Sequence, residues 1–199
     1  MNRSTASRAQ GTSIYGKLKT YLVGAMETTA EKDCGKGWRD MVRPSLERRN
    51  VHVFDPTVEE ASKVGMPTEE FHKKLAGWKQ GGCWELYQQQ MDKIWRGVTY
   101  LDEKNRTNHI MGDVDYVIHS DFITARINPG DKPCGTYVEI GLAWYFGIPT
   151  YIITDMGKSE LNGSLIYFVL SNGGDIFKSY KDYLTHIDQK YNLKEIKEC

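Results

Sequence analysis

Short apolar runs alternate along this chain with longer stretches whose apolar positions recur at helical spacing. Apolar runs at 19–23, 51–54 and 150–154 predict strands. Between the first two, residues 37–49 predict an amphipathic helix, and Arg39 falls outside its apolar stripe. We therefore expect Arg39 to lie in solvent, with a phosphate or carboxylate partner as the alternative. A strand, a helix and a strand in this order predict a parallel pair with a right-handed crossover.

The clearest unit lies between residues 134 and 154. A helical stretch ends at Gly147, which can take the left-handed conformation that closes a helix, and Pro149 prevents its continuation. The strand after it is apolar on both parities, as expected where helices cover both faces of a sheet. The other predicted elements are strands at 116–119 and 175–177, a loop at 121–132, a helix at 179–191, and an apolar run at 165–170 that fits a helix or a strand.

Residues 57–107 interrupt this alternation. They are polar and predicted to be helical in two or three pieces, with glycine or proline breaks near 65–67 and 81–82. We interpret them as a helical elaboration of one domain spanning 17–199, preceded by a flexible tail at 1–16. The last helix predicted within 57–107 carries an apolar stripe, which indicates either core packing or a subunit contact in a homo-oligomer. The stripe contains Trp84, Leu86, Tyr87, Met91, Ile94 and Trp95.

Charge and cysteine content narrow the function classes. The chain has 26 basic and 26 acidic residues, so bulk charge recruits neither a nucleic acid polymer nor an anionic membrane. No apolar stretch approaches the ~20 residues that cross a bilayer. The 4 cysteines are widely spaced, which predicts neither disulfides nor a zinc site and favours a cytoplasmic protein. No flavin, nicotinamide or P-loop signature occurs, so we expect no cofactor and no metal.

Glu139 is the candidate for chemistry, because it is a carboxylate near the start of an otherwise apolar helix. Acids are favoured there by the helix dipole, so a purely structural role is one interpretation. The other is a ligand-facing acid, since α/β proteins bind ligands beside the carboxyl ends of parallel strands. Cys134 is a second candidate nucleophile, because a helix amino end lowers the pKa of a thiol.

A motif around this acid carries a resemblance. Residues 135–143 read Gly-Thr-x-x-Glu-Ile-Gly-x-Ala, and residues 21–27 read Tyr-Leu-Val-Gly-Ala-Met-Glu. In both stretches the chain resembles the nucleoside 2-deoxyribosyltransferases and their deoxynucleotide N-hydrolase relatives. The resemblance implies a flavodoxin-like, doubly wound parallel sheet and cleavage of the N-glycosidic bond of a 2′-deoxynucleoside or its 5′-monophosphate. Transfer of the deoxyribosyl group to another base, hydrolysis, and nucleotide binding without turnover remain three alternatives.

The resemblance also implies roles for single residues. Glu139 would be the nucleophile and Tyr21 its hydrogen-bond partner. Substrate contacts would come from five further residues, the last of them in some relatives from a neighbouring subunit: Gly24, Met26, Gly135, Thr136 and Asn162.

The general acid is the point at which the chain departs from these relatives. They place aspartates six residues before the position of Glu139 and eight before that of Asp115, where this chain has Pro133 and Thr107. A leaving base needs a proton or a strong hydrogen bond. Three aspartates could supply it, and the sequence does not choose among them: Asp92, Asp113 and Asp131.

Overall fold

The structure of the protein is a computed structural model that describes residues 17–26 and 35–196. The predicted tail at 1–16 lies outside the described residues. The described strands are β1 (Lys19–Gly24), β2 (His52–Phe54), β3 (Val98–Leu101), β4 (Thr107–Ile110), β5 (Phe122–Arg126), β6 (Thr150–Ile153) and β7 (Asp175–Phe177). The described α-helices are α1 (Lys36–Glu47), α2 (Pro56–Val64), α3 (Thr68–Gln80), α4 (Trp84–Arg96), α5 (Asp113–Ile118), α6 (Cys134–Tyr145), α7 (Gly163–Ser171) and α8 (Tyr180–Tyr191).

The central sheet has the strand order β2-β1-β5-β6-β7, and every neighbouring pair in it is parallel. This is the order of flavodoxin-like folds, so the predicted fold class is confirmed. The connection from β1 leads to β2 at one edge of the sheet, whereas the connection from β5 leads to β6 toward the other edge. The direction of the connections therefore changes between β1 and β5. The carboxyl ends of β1 and β5 therefore border the crevice in which such folds bind ligands.

Helices cover both faces of the sheet. Successive strand residues point to opposite sides, so Tyr21 and Val23 join one core while Leu22 joins the other. The first core lies under α5, α6 and α7, and the second lies under α1 and α8. Gly147 ends the α6 region with a positive φ of 73°, as predicted. The apolar run at 165–170 is helical and belongs to α7.

The strand predicted at 116–119 is wrong, and so is the first part of the loop predicted at 121–132, of which 127–132 is indeed a loop. Residues 113–118 form α5, whose start is stabilised because the Asp115 carboxylate accepts a hydrogen bond from the Gly112 N–H at 2.9 Å. The strand is β5 instead, and all of its residues are buried. A short apolar run fits either structure by periodicity alone, and the Thr and Arg of β5 concealed a strand covered on both faces.

The segment 57–107 contains the predicted helices, which are α2, α3 and α4. Its last part is not helical, because β3 pairs with β4 in an antiparallel hairpin that the sequence analysis did not predict. Within the apolar stripe of α4, Ile94 is buried whereas Trp84 is 62% exposed. The backbones of Gly97 and Gly112 are in close contact where this segment meets α5. A Cβ on Gly112 would lie 2.3 Å from the Gly97 nitrogen, so only glycine fits there. No described helix is long and apolar enough to cross a membrane.

Candidate active site

Glu139 lies in α6, the helix that follows β5, and its side chain is turned inward. It is 7% exposed, and Ile140 and Ala143 of the same helix are completely buried in the core. Side chains of a helix lean toward its amino end, so the Glu139 carboxylate is directed toward the edge of the sheet where β1 and β5 finish. α6 begins at Cys134 and has no acidic residue in its first turn, so the interpretation of Glu139 as an acid that only stabilises the helix start is wrong.

Tyr21 reaches this carboxylate from the middle of β1. Its hydroxyl donates a hydrogen bond to Glu139 Oε1 at 3.0 Å, and both side chains are buried. The Tyr21 ring packs against Tyr116 of α5, with 5.5 Å between ring centroids. Burial, then the charges of Asp113 and Glu139, raise the pKa of Tyr21, so the hydroxyl keeps its proton and acts as a donor at neutral pH. The contact is the one implied by the resemblance; its catalytic role remains a prediction.

Among the three candidate aspartates, Asp113 is the one near this pair. It is buried at the start of α5, and its charge raises the pKa of Glu139. Asp92 instead lies on the exposed side of α4, 3.6 Å from Arg96. The Asp131 carboxylate is in the loop before α6, where it accepts the N–H of Asn128 at 3.0 Å.

The two buried carboxyl groups act on one another. Burial, and then the charge of Asp113, raise the pKa of Glu139 to about 8, whereas the Tyr21 hydrogen bond and the Arg39 charge oppose the rise. Burial raises the pKa of Asp113 to about 6, and the Lys63 ammonium opposes this. Between these values the pair holds one proton and one negative charge. A site with one carboxylate and one carboxylic acid can supply both a nucleophile and a proton donor.

Arg39 is buried, which contradicts the expectation that it lies in solvent. Its guanidinium donates to the carbonyl oxygens of Gly35, Leu22 and Gly24 at 2.7, 3.3 and 3.0 Å. Arg39 Nε lies 3.8 Å from Asp55 Oδ1, so the carboxylate alternative is the one observed. The side chain ties the end of β1 to the start of α1 beneath the crevice.

Gly24 has a packing reason to be glycine. A Cβ at this position would lie 3.0 Å from the Trp38 ring and 3.2 Å from the Arg126 carbonyl oxygen. Met26 is half-buried at the end of the first described stretch. At the amino end of α6, Thr136 is buried and Gly135 is exposed. These four residues thus border the crevice from its two sides.

Asn162 lines a cavity next to the crevice. Its side chain accepts a hydrogen bond from the Ser164 N–H at 2.9 Å and caps α7. It lines a cavity of about 180 Å³ between α6 and α7, together with Tyr137, Leu165 and Phe168. The described hydrogen bonds do not join Asn162 to Glu139 in the same chain.

Two residues near the site were not assigned to it from sequence. Lys63 of α2 donates a hydrogen bond to Asp113 at 3.2 Å. Trp95 of α4 is half-buried, and its ring lies 4.0 Å from where a Cβ on Gly135 would be. The indole therefore lies beside the amino end of α6, one helical turn before Glu139. The only sequence signal was the apolar stripe of α4, which indicated core or subunit packing.

The alternative nucleophile Cys134 is an exposed free thiol at the first residue of α6. Within 17–26 and 35–196, no group of three or more His, Cys, Asp and Glu residues is arranged to hold a metal ion.

No protein-family model matches the chain, and no curated protein matches it. A conserved protein from Enterococcus faecalis V583 is similar in structure, with 18% identity over 88% of this chain and 99% of that one and a TM-score of 0.52. The CMP N-glycosidase BcmB from Clostridium botulinum has 17% identity, coverages of 85% and 98%, and a TM-score of 0.40. A 2-deoxyribosyltransferase from Bacillus psychrosaccharolyticus has 14% identity, coverages of 83% and 90%, and a TM-score of 0.48. The first likeness concerns the fold alone, and the two lower scores carry no argument about this chain.

Proposed function

We propose that this protein cleaves the N-glycosidic bond of a 2′-deoxynucleoside or its 5′-monophosphate and transfers the deoxyribosyl group to another nucleobase. The observation that carries the proposal is the buried hydrogen bond between Tyr21 and Glu139, 3.0 Å long, beside the crevice of a flavodoxin-like sheet. Burying a carboxyl group costs folding free energy, so a buried glutamate beside a ligand crevice favours a functional role. The motifs at 21–27 and 135–143 resemble those of the nucleoside 2-deoxyribosyltransferases and support this reaction.

The proposed first step uses the form of the pair in which Asp113 holds the proton and Glu139 the charge, the less populated one because the pKa of Glu139 is the higher. The Glu139 carboxylate bonds to the anomeric carbon while the bond from that carbon to the base nitrogen breaks. The electron pair of the broken bond stays on the base, which takes the proton of Asp113. The negative carboxylate also stabilises the positive charge that develops on the sugar ring. In the second step, a nitrogen of another base attacks the anomeric carbon, the bond from that carbon to Glu139 breaks, and the Asp113 carboxylate takes the proton of the attacking nitrogen. Attack by water, with the same proton transfer, would give hydrolysis instead.

Tyr21 would orient the nucleophile. Its hydroxyl bonds one carboxylate oxygen, Oε1, which leaves the other free to approach the sugar. Its hydrogen bond also favours the ionised form of Glu139, against the effect of burial. Gly24, Met26 and Thr136 would surround the nucleoside at the mouth of the crevice.

The test is incubation with a panel of 2′-deoxynucleosides and their 5′-monophosphates, with and without a second free base, followed by chromatography. A new nucleoside containing the second base is the expected product. Free base with deoxyribose or its phosphate would mean hydrolysis. Binding without any product would overturn the proposal and leave a binding module.

Glu139→Gln should abolish turnover. Glu69→Gln is the matched control, because it makes the same change at a helical glutamate that is exposed. Intact mass spectrometry of the wild type with substrate should detect one added deoxyribosyl group, and this adduct should be missing in Glu139→Gln. Equal activity in the two variants would eliminate Glu139 as the nucleophile.

A further inference from the structure

Lys63 is a buried cation in a part of the chain that the motifs do not cover. It lies on α2, and its side chain is 0% exposed. Its ammonium lies 3.2 Å from Asp113 Oδ1 and 4.6 Å from the centroid of the Tyr116 ring. Removing a lysine ammonium from water costs several kcal/mol unless a partner compensates. The position of Lys63 is therefore explained by Asp113, the carboxyl group that it contacts.

Ionisable groups face Asp113 from several elements. Lys63 and Glu60 come from α2, Tyr21 from β1, and Glu139 from α6. On its own helix lie Tyr116 and Asp115, and the latter accepts hydrogen bonds from Gly112 and His109. Glu60 is engaged by His72 at 3.1 Å. Of these described groups, Lys63 is the cation in contact with Asp113.

We propose that Lys63 is a positioning residue that keeps Asp113 acidic enough to release its proton to the departing base. The ammonium lies where it can stabilise the carboxylate that remains on Asp113 after proton transfer. Without this cation, a carboxyl group buried beside Glu139 would retain its proton more strongly. The catalytic consequence rests on the proposed function, whereas the effect on Asp113 does not.

The direct test follows Asp113 by ¹³C NMR of its labelled carboxyl carbon during a pH titration, with Asp113→Asn to assign the signal. In Lys63→Met we expect the midpoint of Asp113 to move upward by at least about one pH unit from the wild-type value. Lys63→Arg, which keeps the charge, should restore most of the shift. Lys74→Met removes an exposed lysine paired with Glu70 and should leave Asp113 unchanged.

The second readout is the pH profile of kcat/KM. The alkaline limb, at which Asp113 loses the proton that it gives to the base, should move upward with Asp113 in Lys63→Met, so that kcat/KM at pH 10, relative to its plateau, rises about tenfold over the wild type. Lys63→Arg should move this limb much less. A purely structural role of Lys63 would change the amount of folded enzyme but not the position of the limb.

The possible failures are distinguishable. An unchanged Asp113 midpoint in Lys63→Met overturns the inference even if the enzyme is fully active. A shifted midpoint in a protein that converts no nucleoside supports the ionic control of Asp113 and overturns the proposed function. If Lys63→Met does not fold, Lys63→Gln carries the same test, because its amide can bond Asp113 without a charge.

Discussion

The two faces of the sheet both bury polar groups next to β1, but they do so differently. On the α8 face, neutral hydroxyl groups form a chain: Thr20 bonds Thr124 at 3.0 Å, and Thr124 bonds Tyr183 at 2.6 Å. On the α6 face, Tyr21 bonds Glu139 among further charged side chains. The neighbouring residues Thr20 and Tyr21 thus lead to opposite kinds of buried site.

The comparison separates a buried site of neutral hydroxyl groups, which stabilises the fold, from the buried site that holds the proposed catalytic groups. A neutral chain of satisfied hydroxyl groups contributes to stability without a large cost of burial. Buried carboxyl groups are costly, and their pKa values move toward neutrality as a result. The two carboxyl groups whose pKa values burial raises toward neutrality, Asp113 and Glu139, both lie on the α6 face. The following variants test this contrast, from the largest expected effect to the smallest.

Glu139→Gln should lower kcat by about 10³-fold or more, since it removes the proposed nucleophile. It should also change how stability depends on pH. The pKa of Glu139 is raised from 4.5 to about 8 by folding, so the folded state holds a proton that the unfolded state lacks and loses stability as pH rises through this window. Urea unfolding at several pH values should show a weaker decline in Glu139→Gln. An equally steep decline would contradict the raised pKa.

Asp113→Asn should lower kcat by about 10²-fold to 10⁴-fold, because the leaving base loses its proposed proton donor. In the wild type, kcat/KM should follow a bell between pH values of about 6 and 8, the window in which the carboxyl pair holds one proton. The alkaline limb should disappear in the variant. The unfolding temperature of Asp113→Asn should fall, because the substitution leaves the buried Lys63 ammonium without its carboxylate. Adding Lys63→Met to this variant should recover the unfolding temperature. A retained alkaline limb would assign the acid to another residue.

Tyr21→Phe and Tyr183→Phe remove one hydroxyl group from each face. Loss of a hydrogen bond to a charged group is worth about 1.5–3 kcal/mol, so Tyr21→Phe should lower kcat/KM about 10-fold to 100-fold. It should also raise the acid limb of the pH profile, because the bond that lowers the pKa of Glu139 is gone. Tyr183→Phe should cost about 1 kcal/mol of stability and leave the profile unchanged. Equal effects on the profile would remove the distinction between the faces.

Several elements could be predicted because their signals are local. The end of α6 at Gly147 and Pro149, the strand β6 after it and the strand β1 before Gly24 follow from backbone restrictions and short-range periodicity. The helix that carries Glu139 follows equally from the pattern, although α6 begins early enough, at Cys134, to place Glu139 beyond its first turn. The strand β5 was missed, because a strand buried on both sides by its neighbours need not look apolar from one end to the other.

The candidate site depended on contacts that no local pattern contains. Arg39 looked like a surface residue, yet three backbone carbonyl groups from the end of β1 and the start of α1 surround its guanidinium. Asp92, Asp113 and Asp131 were equivalent in sequence, and their positions in the fold separate them: Asp92 is exposed on α4, Asp131 lies in the loop before α6, and Asp113 is buried near Glu139. Trp95 was assigned to an apolar stripe, although its ring borders Gly135.

By itself, the sequence determined the parallel α/β class, the helix that carries Glu139 and the motif that indicates glycosidic chemistry. Only the tertiary structure decided that Tyr21 meets Glu139, since the two are 118 residues apart. The same holds for the pairing of Lys63 with Asp113. The physical reason is one of range: periodicity and backbone restrictions act over a few residues, whereas strand order and helix packing decide which distant side chains share one buried volume.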